Sequence, residues 1–343
     1  MNRSMPGIVG NKTLCDRLIS DVISSSLSHA YIIEGETGSG RKTIALLCAA
    51  ATACENKSTT SSSLPCLCCN SCKKIMERKS TDVIFIKEEE KASVGVDVSR
   101  FIKEDVYVIP NDLEDKFYII EEADTMTEQA QNALLLTLEE PPSFVHFFLI
   151  CNSASSFLET IRSRATILHT QKLSEKEISD YICANDTRAA QMKLTAPKEF
   201  AEILKASNGG IGQAIYYLDE ENREPILKRR KMIYETILAI MQKKTARDVL
   251  PLLLKFSTKR DALSEELSLL SVAIRDLIVL KKTDSATLEF FCDINEAIEL
   301  SDKRPLSFLY EFYKHVNVAI EENKCNANVK LLITKLSINA GIL

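Results

Sequence analysis

The sequence predicts an α/β fold with a parallel sheet, followed by a chain that is helical to its end. Three observations carry that expectation. Short apolar runs alternate with helix-like segments as far as about residue 171. One run, Ala30-Tyr31-Ile32-Ile33, leads through the glycine-rich turn Gly35 to Gly40 into a second apolar run from Ile44, the setting in which backbone N–H groups hold phosphate. Beyond Gln171 the strand pattern stops, and Leu263, Leu267, Leu270, Ile274 and Leu277 step by four and three along a helical stripe.

Taken in order, Asn11 to Ser24 has helical spacing at Leu14, Leu18, Val22 and Ile23. A strand over 30–34, the glycine turn and a helix to about Cys54 follow. Glu55 to Leu64, with a Ser/Thr run over 58–63, reads as a loop. Further strands are expected at Asp82 to Lys87, Lys116 to Glu121, Val145 to Ile150 and Ala165 to His169. Between the third and fourth strands a helix runs from about Thr127 to Glu140, where Pro141-Pro142 ends it. Ser174 opens a helix to Ala184 with Glu177 three residues on, a capping box. Short helices fit Pro197 to Ala206 and Gly210 to Tyr217, and everything from Glu224 onward is helical. The expected domains are therefore 1–171, 172–222 and 223–343.

A chain of 343 residues has room for two or three cores. Its 45% hydrophobic and 27% charged residues are those of a soluble globular protein. The longest apolar run, Ile44 to Cys54, falls short of the ~20 residues that span a bilayer. Met1 to Gly10 lacks a basic segment followed by a hydrophobic one, so the cytoplasm is the expected compartment. A net charge of −5 argues for protein partners ahead of a lone grip on duplex DNA.

Eleven cysteines in a reducing compartment, four of them between Cys66 and Cys72, point to metal rather than disulfides. Cys54, Cys66, Cys69 and Cys72 could close a tetrahedron around a structural Zn²⁺. Cys68 is a fifth thiol in the same segment, and Cys54 and Cys68 are the two candidates for the fourth ligand. The expected module covers about 54–80.

The glycine turn departs from a working P-loop. G-x-x-x-x-G-K-[ST], counted from Gly35 and Gly40, puts Arg41 at the lysine and Lys42 at the hydroxyl. The run Phe117 to Ile120 ends in Glu121-Glu122, where a Walker B strand carries an Asp for Mg²⁺ and a Glu for the attacking water. Arg164, in Thr160-Ile161-Arg162-Ser163-Arg164, is either a solvated surface charge or a guanidinium offered to phosphate. Lys228-Arg229-Arg230-Lys231 fits the exposed face of a helix, its charges splayed around the axis. His29 and His146 flank strands and suit structural roles.

Together these residues resemble the bacterial clamp-loader subunits of the AAA+ class, and among them the delta-prime family of DNA polymerase III. The segments that carry the likeness are Leu27-Ser-His-Ala-Tyr-Ile-Ile-Glu-Gly35, Ala130-Gln-Asn-Ala-Leu-Leu-Leu-Thr-Leu-Glu-Glu-Pro-Pro142 and Thr160-Ile-Arg-Ser-Arg-Ala165, with the cysteine cluster after the P-loop helix. The motif-level likeness covers about residues 5–215. The resemblance implies an AAA+ P-loop domain with a zinc-module insertion, a small helical lid domain and an all-α collar bundle.

It implies as partners the gamma/tau and delta subunits and, through the complex, the beta sliding clamp and primer-template DNA, with no membrane. Within the family, Gly35, Gly38, Gly40, Arg41, Lys42, Glu121 and Glu122 map onto the nucleotide site, and Gln213 onto the lid's sensor arginine. Four departures, at Arg41, Lys42, Glu121 and Gln213, speak against hydrolysis and leave ATP binding open. Arg164 maps onto the arginine that reaches a neighbour's ATP. Two alternatives remain at this stage: an ATP-hydrolysing gamma/tau-like subunit, and a zinc-stabilised nucleic-acid-binding module.

Overall fold

The computed structural model describes residues 4–57, 63–87, 96–242, 245–283 and 287–342. Of the loop expected over 55–64, residues 58–62 lie outside the described residues. Five parallel strands form one sheet in the order β2-β3-β4-β1-β5: β1 Ala30–Glu34, β2 Val83–Ile86, β3 Lys116–Ile120, β4 Val145–Cys151 and β5 Thr166–His169. The helices among them are α1 Lys12–Ile23, α2 Arg41–Thr52, α3 Asn70–Met76, α4 Val96–Asp105, α5 Glu128–Glu139 and α6 Glu159–Arg162.

Every residue of β3 and β4 is buried, which is why, apart from Lys116 and His146 near their amino ends, those runs are apolar rather than alternating. One face presents Tyr31, Ile33, Phe117, Ile119, Phe148 and Ile150 to Leu18 of α1 and Leu47 of α2. The other presents Ile32, Tyr118, Ile120, Phe147 and Leu149 to Ile102 of α4 and Leu134 of α5. Tyr31 stacks on Phe148 at 5.5 Å and Tyr118 on Phe147 at 5.1 Å, so each face has its own aromatic ladder.

The register fixes the working end of the sheet. Glu34 pairs with Cys151 and Ile120 with Leu149, which brings the carboxyl ends of β1, β4 and β3 level. That end of an open parallel sheet is where ligands bind, and the glycine turn leaves from it.

The remaining helices are α7 Glu175–Asn185, α8 Thr187–Thr195, α9 Pro197–Ala206, α10 Ile211–Tyr216, α11 Glu220–Met241, α12 Ala246–Leu253, α13 Arg260–Leu280, α14 Ile294–Asp302, α15 Leu306–Lys324 and α16 Val329–Ile342. The chain divides into two compact units. The first is Met1–Tyr181 with Gly209–Gln213, and the second is Ile182–Asn208 with Ala214–Leu343.

In the second unit the α13 stripe Leu263, Leu267, Leu270, Ile274 and Leu277 is fully buried against Leu309, Phe312 and Val316 of α15. The buried Asp276 carboxylate accepts the N–H groups of Glu289 and Phe290 at 2.9 and 2.7 Å, satisfying a turn that would otherwise bury free donors. Here the basic run on α11 differs from its expected exposure. Arg230 is buried, paired with Glu202 and donating to the Phe290 carbonyl, because its planar fork can serve both at once. Arg229 pairs with Glu265 at 2.5 Å and Lys228 with Glu224 at 2.7 Å. No helix among the described residues is long and apolar enough to cross a membrane.

Candidate functional site

The glycine turn is built by close approach. Gly35, Gly38 and Gly40 all have positive φ, and Gly40 caps α2 in the left-handed region. A Cβ on Gly38 would lie 2.4 Å from the Gln213 nitrogen, so only glycine lets the Gly209–Gln213 segment seat there. Gly212 N–H donates to the Gly38 carbonyl at 3.0 Å. The turn is braced from β5 as well: Thr170 Oγ1 lies 2.9 Å from Ser39 Oγ and donates to the Glu34 carbonyl at 3.1 Å.

The two side chains that replace the P-loop lysine and hydroxyl are both engaged within the chain. Arg41 Nη1 donates to the Cys151 carbonyl at the end of β4. Burial pushes its guanidinium below the usual arginine range, against the opposing charges of Asp124, Glu36 and Glu122. Lys42 Nζ lies 2.5 Å from Glu121 Oε2. The Glu121 side chain is 5% exposed and that of Lys42 46%, so the ammonium covers a carboxylate shut into the protein.

Glu122 is exposed and held at φ 50, a strained setting for a non-glycine residue, with the 3-10 turn Ala123–Thr125 behind it. The structure thus brings Gly35, Gly38, Gly40, Arg41, Lys42, Glu121, Glu122 and Gln213 to one end of the sheet. Asn152 also stands there, unanticipated from the sequence. Its N–H donates to Asp124 Oδ2 at 2.9 Å, and its side-chain oxygen is 3.5 Å from Thr37 Oγ1. A polar residue directly after the apolar run Phe147–Cys151 was the available signal.

Arg164 is not at this site. Tyr31 pairs with Thr166 and Glu34 with His169, so Arg164 precedes β5 at the amino end of the strands. At about 3.3 Å per residue it lies on the order of 20 Å from the glycine turn. Its Nη2 donates to Glu139 Oε1 at 2.6 Å and its Nη1 to the Thr160 carbonyl at 2.9 Å. Both expected structural histidines lie near the amino end of the strands too. His146 Nδ1 meets the Ser28 carbonyl at 2.9 Å while its ring stacks on Phe117.

The cysteine cluster forms a second site. The Sγ atoms of Cys54, Cys66, Cys69 and Cys72 all lie within 4.8 Å of one another, whereas Cys68 is exposed. A tetrahedral Zn²⁺ with Zn–S of about 2.3 Å needs sulfurs about 3.8 Å apart, and Cys66 and Cys72 are at 4.0 Å. Cys69 caps α3, accepting the Cys72 N–H at 3.4 Å, and Cys66 accepts the Cys69 N–H at the same distance.

Burial opposes ionisation of Cys66, but donors at Asn56 and the backbone of Cys68 and Cys69 outweigh it and bring its pKa down to about 5. Burial pushes Cys54 and Cys72 up instead. Four cysteine sulfurs gathered this closely have the donor set of a closed thiolate metal site. Glu55 fastens the excursion by accepting from Ser71 N and Oγ at 3.1 and 3.0 Å.

A family model described as "DNA polymerase III, delta subunit" matches residues 10–174. Over that stretch the chain is similar to DNA polymerase III subunits. The delta' subunit of Bacillus subtilis is 32% identical over 183 residues, 52% of this chain and 53% of its own length. The gamma subunit of Buchnera aphidicola is 32% identical over 180 residues, covering 52% and 48%. The chain spans about half the length, or less, of the curated relatives it matches. A solved gamma subunit-related protein of Thermotoga maritima aligns over 95% of this chain and 98% of its own at 18% identity and a TM-score of 0.47.

Proposed function

We propose that this chain is a non-catalytic subunit of the bacterial DNA polymerase III clamp loader. It helps load the beta sliding clamp onto primed DNA and lends Arg164 to the nucleotide site of a neighbouring ATPase subunit. The observation that carries this reading is the pairing of Arg41 with the Cys151 carbonyl and of Lys42 with Glu121. Phosphoryl transfer needs a compact ammonium on the phosphates and an oxygen-held Mg²⁺, and neither role is open to these side chains. Arg164, at the opposite end of the strands, has no reach to its own glycine turn, so a phosphate it serves belongs to another subunit.

The neighbours in this reading are the gamma/tau and delta subunits, with the beta clamp and primer-template DNA reached through the assembly in the cytoplasm. Residues 172–222 serve as the lid and 223–343 as the collar that holds the ring. Cys54, Cys66, Cys69 and Cys72 hold a structural Zn²⁺. Engagement of Arg229 and Arg230 with Glu265 and Glu202 weighs against a free-standing nucleic-acid-binding module. The gamma/tau-like alternative is favoured by one observation, the 32% identity to a gamma subunit. ATP turnover by the purified chain with primed DNA separates the two. None is expected, and steady hydrolysis by the chain alone would sink the non-catalytic reading.

A further inference from the structure

A working P-loop and the acid at the end of a nearby strand hold a divalent cation between them, oxygen against oxygen, because Mg²⁺ takes hard oxygen ligands in a near-ideal octahedron. In this chain the loop side of that place is Lys42 and the strand side is Glu121, 2.5 Å apart. The carboxylate is 5% exposed, and the ammonium meets it from the more open side. Glu121 is fixed from behind, its N–H donating to the Ile86 carbonyl at 2.9 Å.

Asp124, Glu36 and Glu122 at this end lie in the field of Arg41, and Lys172 Nζ is 3.6 Å from Glu36. Asp124 Oδ2 is taken by the Asn152 N–H. A divalent cation at Glu121 would stand at contact distance from a like charge, a repulsion that the low dielectric beside a buried carboxylate strengthens. The residues present therefore do not fit the metal that a P-loop implies.

We propose that Lys42 is a built-in substitute for the divalent cation, holding the ends of α2 and β3 together and excluding Mg²⁺ and Mn²⁺ even in the presence of ATP. The inference rests on reading the glycine turn as a degenerate nucleotide site, and it is independent of the clamp-loader role. It accounts for two departures at once: Lys42 for the hydroxyl, and Glu121 for a shorter Asp, the longer acid reaching an ammonium on a flexible stem.

The test is a Mn²⁺ titration of the full-length chain with ATP, read by the EPR signal of free Mn²⁺, on the wild type, Lys42→Thr, Lys42→Arg and Glu121→Gln. The wild type, Lys42→Arg and Glu121→Gln are expected to bind the same amount of Mn²⁺, and Lys42→Thr to gain one ion per chain. A wild-type Mn²⁺ site that disappears in Glu121→Gln overturns the proposal, and so does a folded Lys42→Thr that gains none. If Lys42→Thr fails to fold, the comparison of wild type with Glu121→Gln still decides. ATP turnover on the same samples keeps the two readings apart. A wild-type Mn²⁺ site lost in Glu121→Gln, without turnover, defeats this inference alone, and turnover in the wild type defeats the non-catalytic reading.

Discussion

Glu121 is the residue whose neighbourhood most depends on one partner. With Lys42 replaced by Met, the carboxylate stays buried and loses its counter-charge, and a buried acceptor left unmatched costs roughly 1–3 kcal/mol. The half-exposed ammonium moderates that figure towards its lower end. We expect Lys42→Met to lower the midpoint of urea unfolding of the first unit, and Lys42→Met with Glu121→Gln to recover most of the loss. A double variant as unstable as the single one would mean that Lys42 acts through packing rather than charge.

The departures at Arg41, Lys42 and Glu121 were legible from spacing alone. Their contacts were not, since Lys42 and Glu121 are 79 positions apart and meet only because α2 lies over β3. Asn152 was missed for a related reason: a single polar residue after a strand acquires meaning only when its neighbours across the sheet are known.

At the scale of elements, all five strands could be read from their apolar runs, because a sheet covered on both faces needs little else. The helices that escaped were those whose signals were masked. The start of α3 is capped by Cys69 rather than by a hydroxyl or carboxylate, inside a stretch read only for its thiols. In α4, Val96–Asp105, the sequence VDVSRFIKED has a polar character that gave no run to follow. In α8, Asp186 accepts the Arg188 N–H at 2.9 Å, a cap that was visible in principle.

The cysteine cluster was legible as a group, while the choice of Cys54 over Cys68 needed the fold that buries one and exposes the other. If a structural Zn²⁺ ties this excursion down, its binding energy is folding energy for the segment. A strong chelator at neutral pH should then speed amide hydrogen exchange over α3 and 63–69 and leave α13 and α15 unchanged. Exchange over α3 that ignores the chelator would argue that the four thiols pack without a metal.

For the whole molecule, the decisive fact is the separation of its two sets of functional side chains along the strands. The glycine turn, Lys42 and Glu121 stand at the carboxyl ends, and Arg164 at the amino end of the edge strand β5. Chain connectivity hid this from the sequence, in which Arg164 lies only a few residues from β5 and looks as close to the turn as Thr170 does. In the proposed reading Arg164 acts on a neighbour's nucleotide, and the Glu139 carboxylate and the Thr160 carbonyl hold its guanidinium until then.

The most direct measurement is ATP turnover by the assembly reconstituted from its gamma/tau and delta partners with either the wild-type chain or Arg164→Ala. The Arg164–Glu139 pair is partly exposed, so its loss should cost under about 1 kcal/mol and leave folding and assembly intact. We expect turnover to fall by about 10³-fold or more at each site that depends on this arginine, in line with arginine fingers generally. Turnover equal to wild type, from an assembly of unchanged composition, would contradict the claim that this chain serves its neighbour's phosphate.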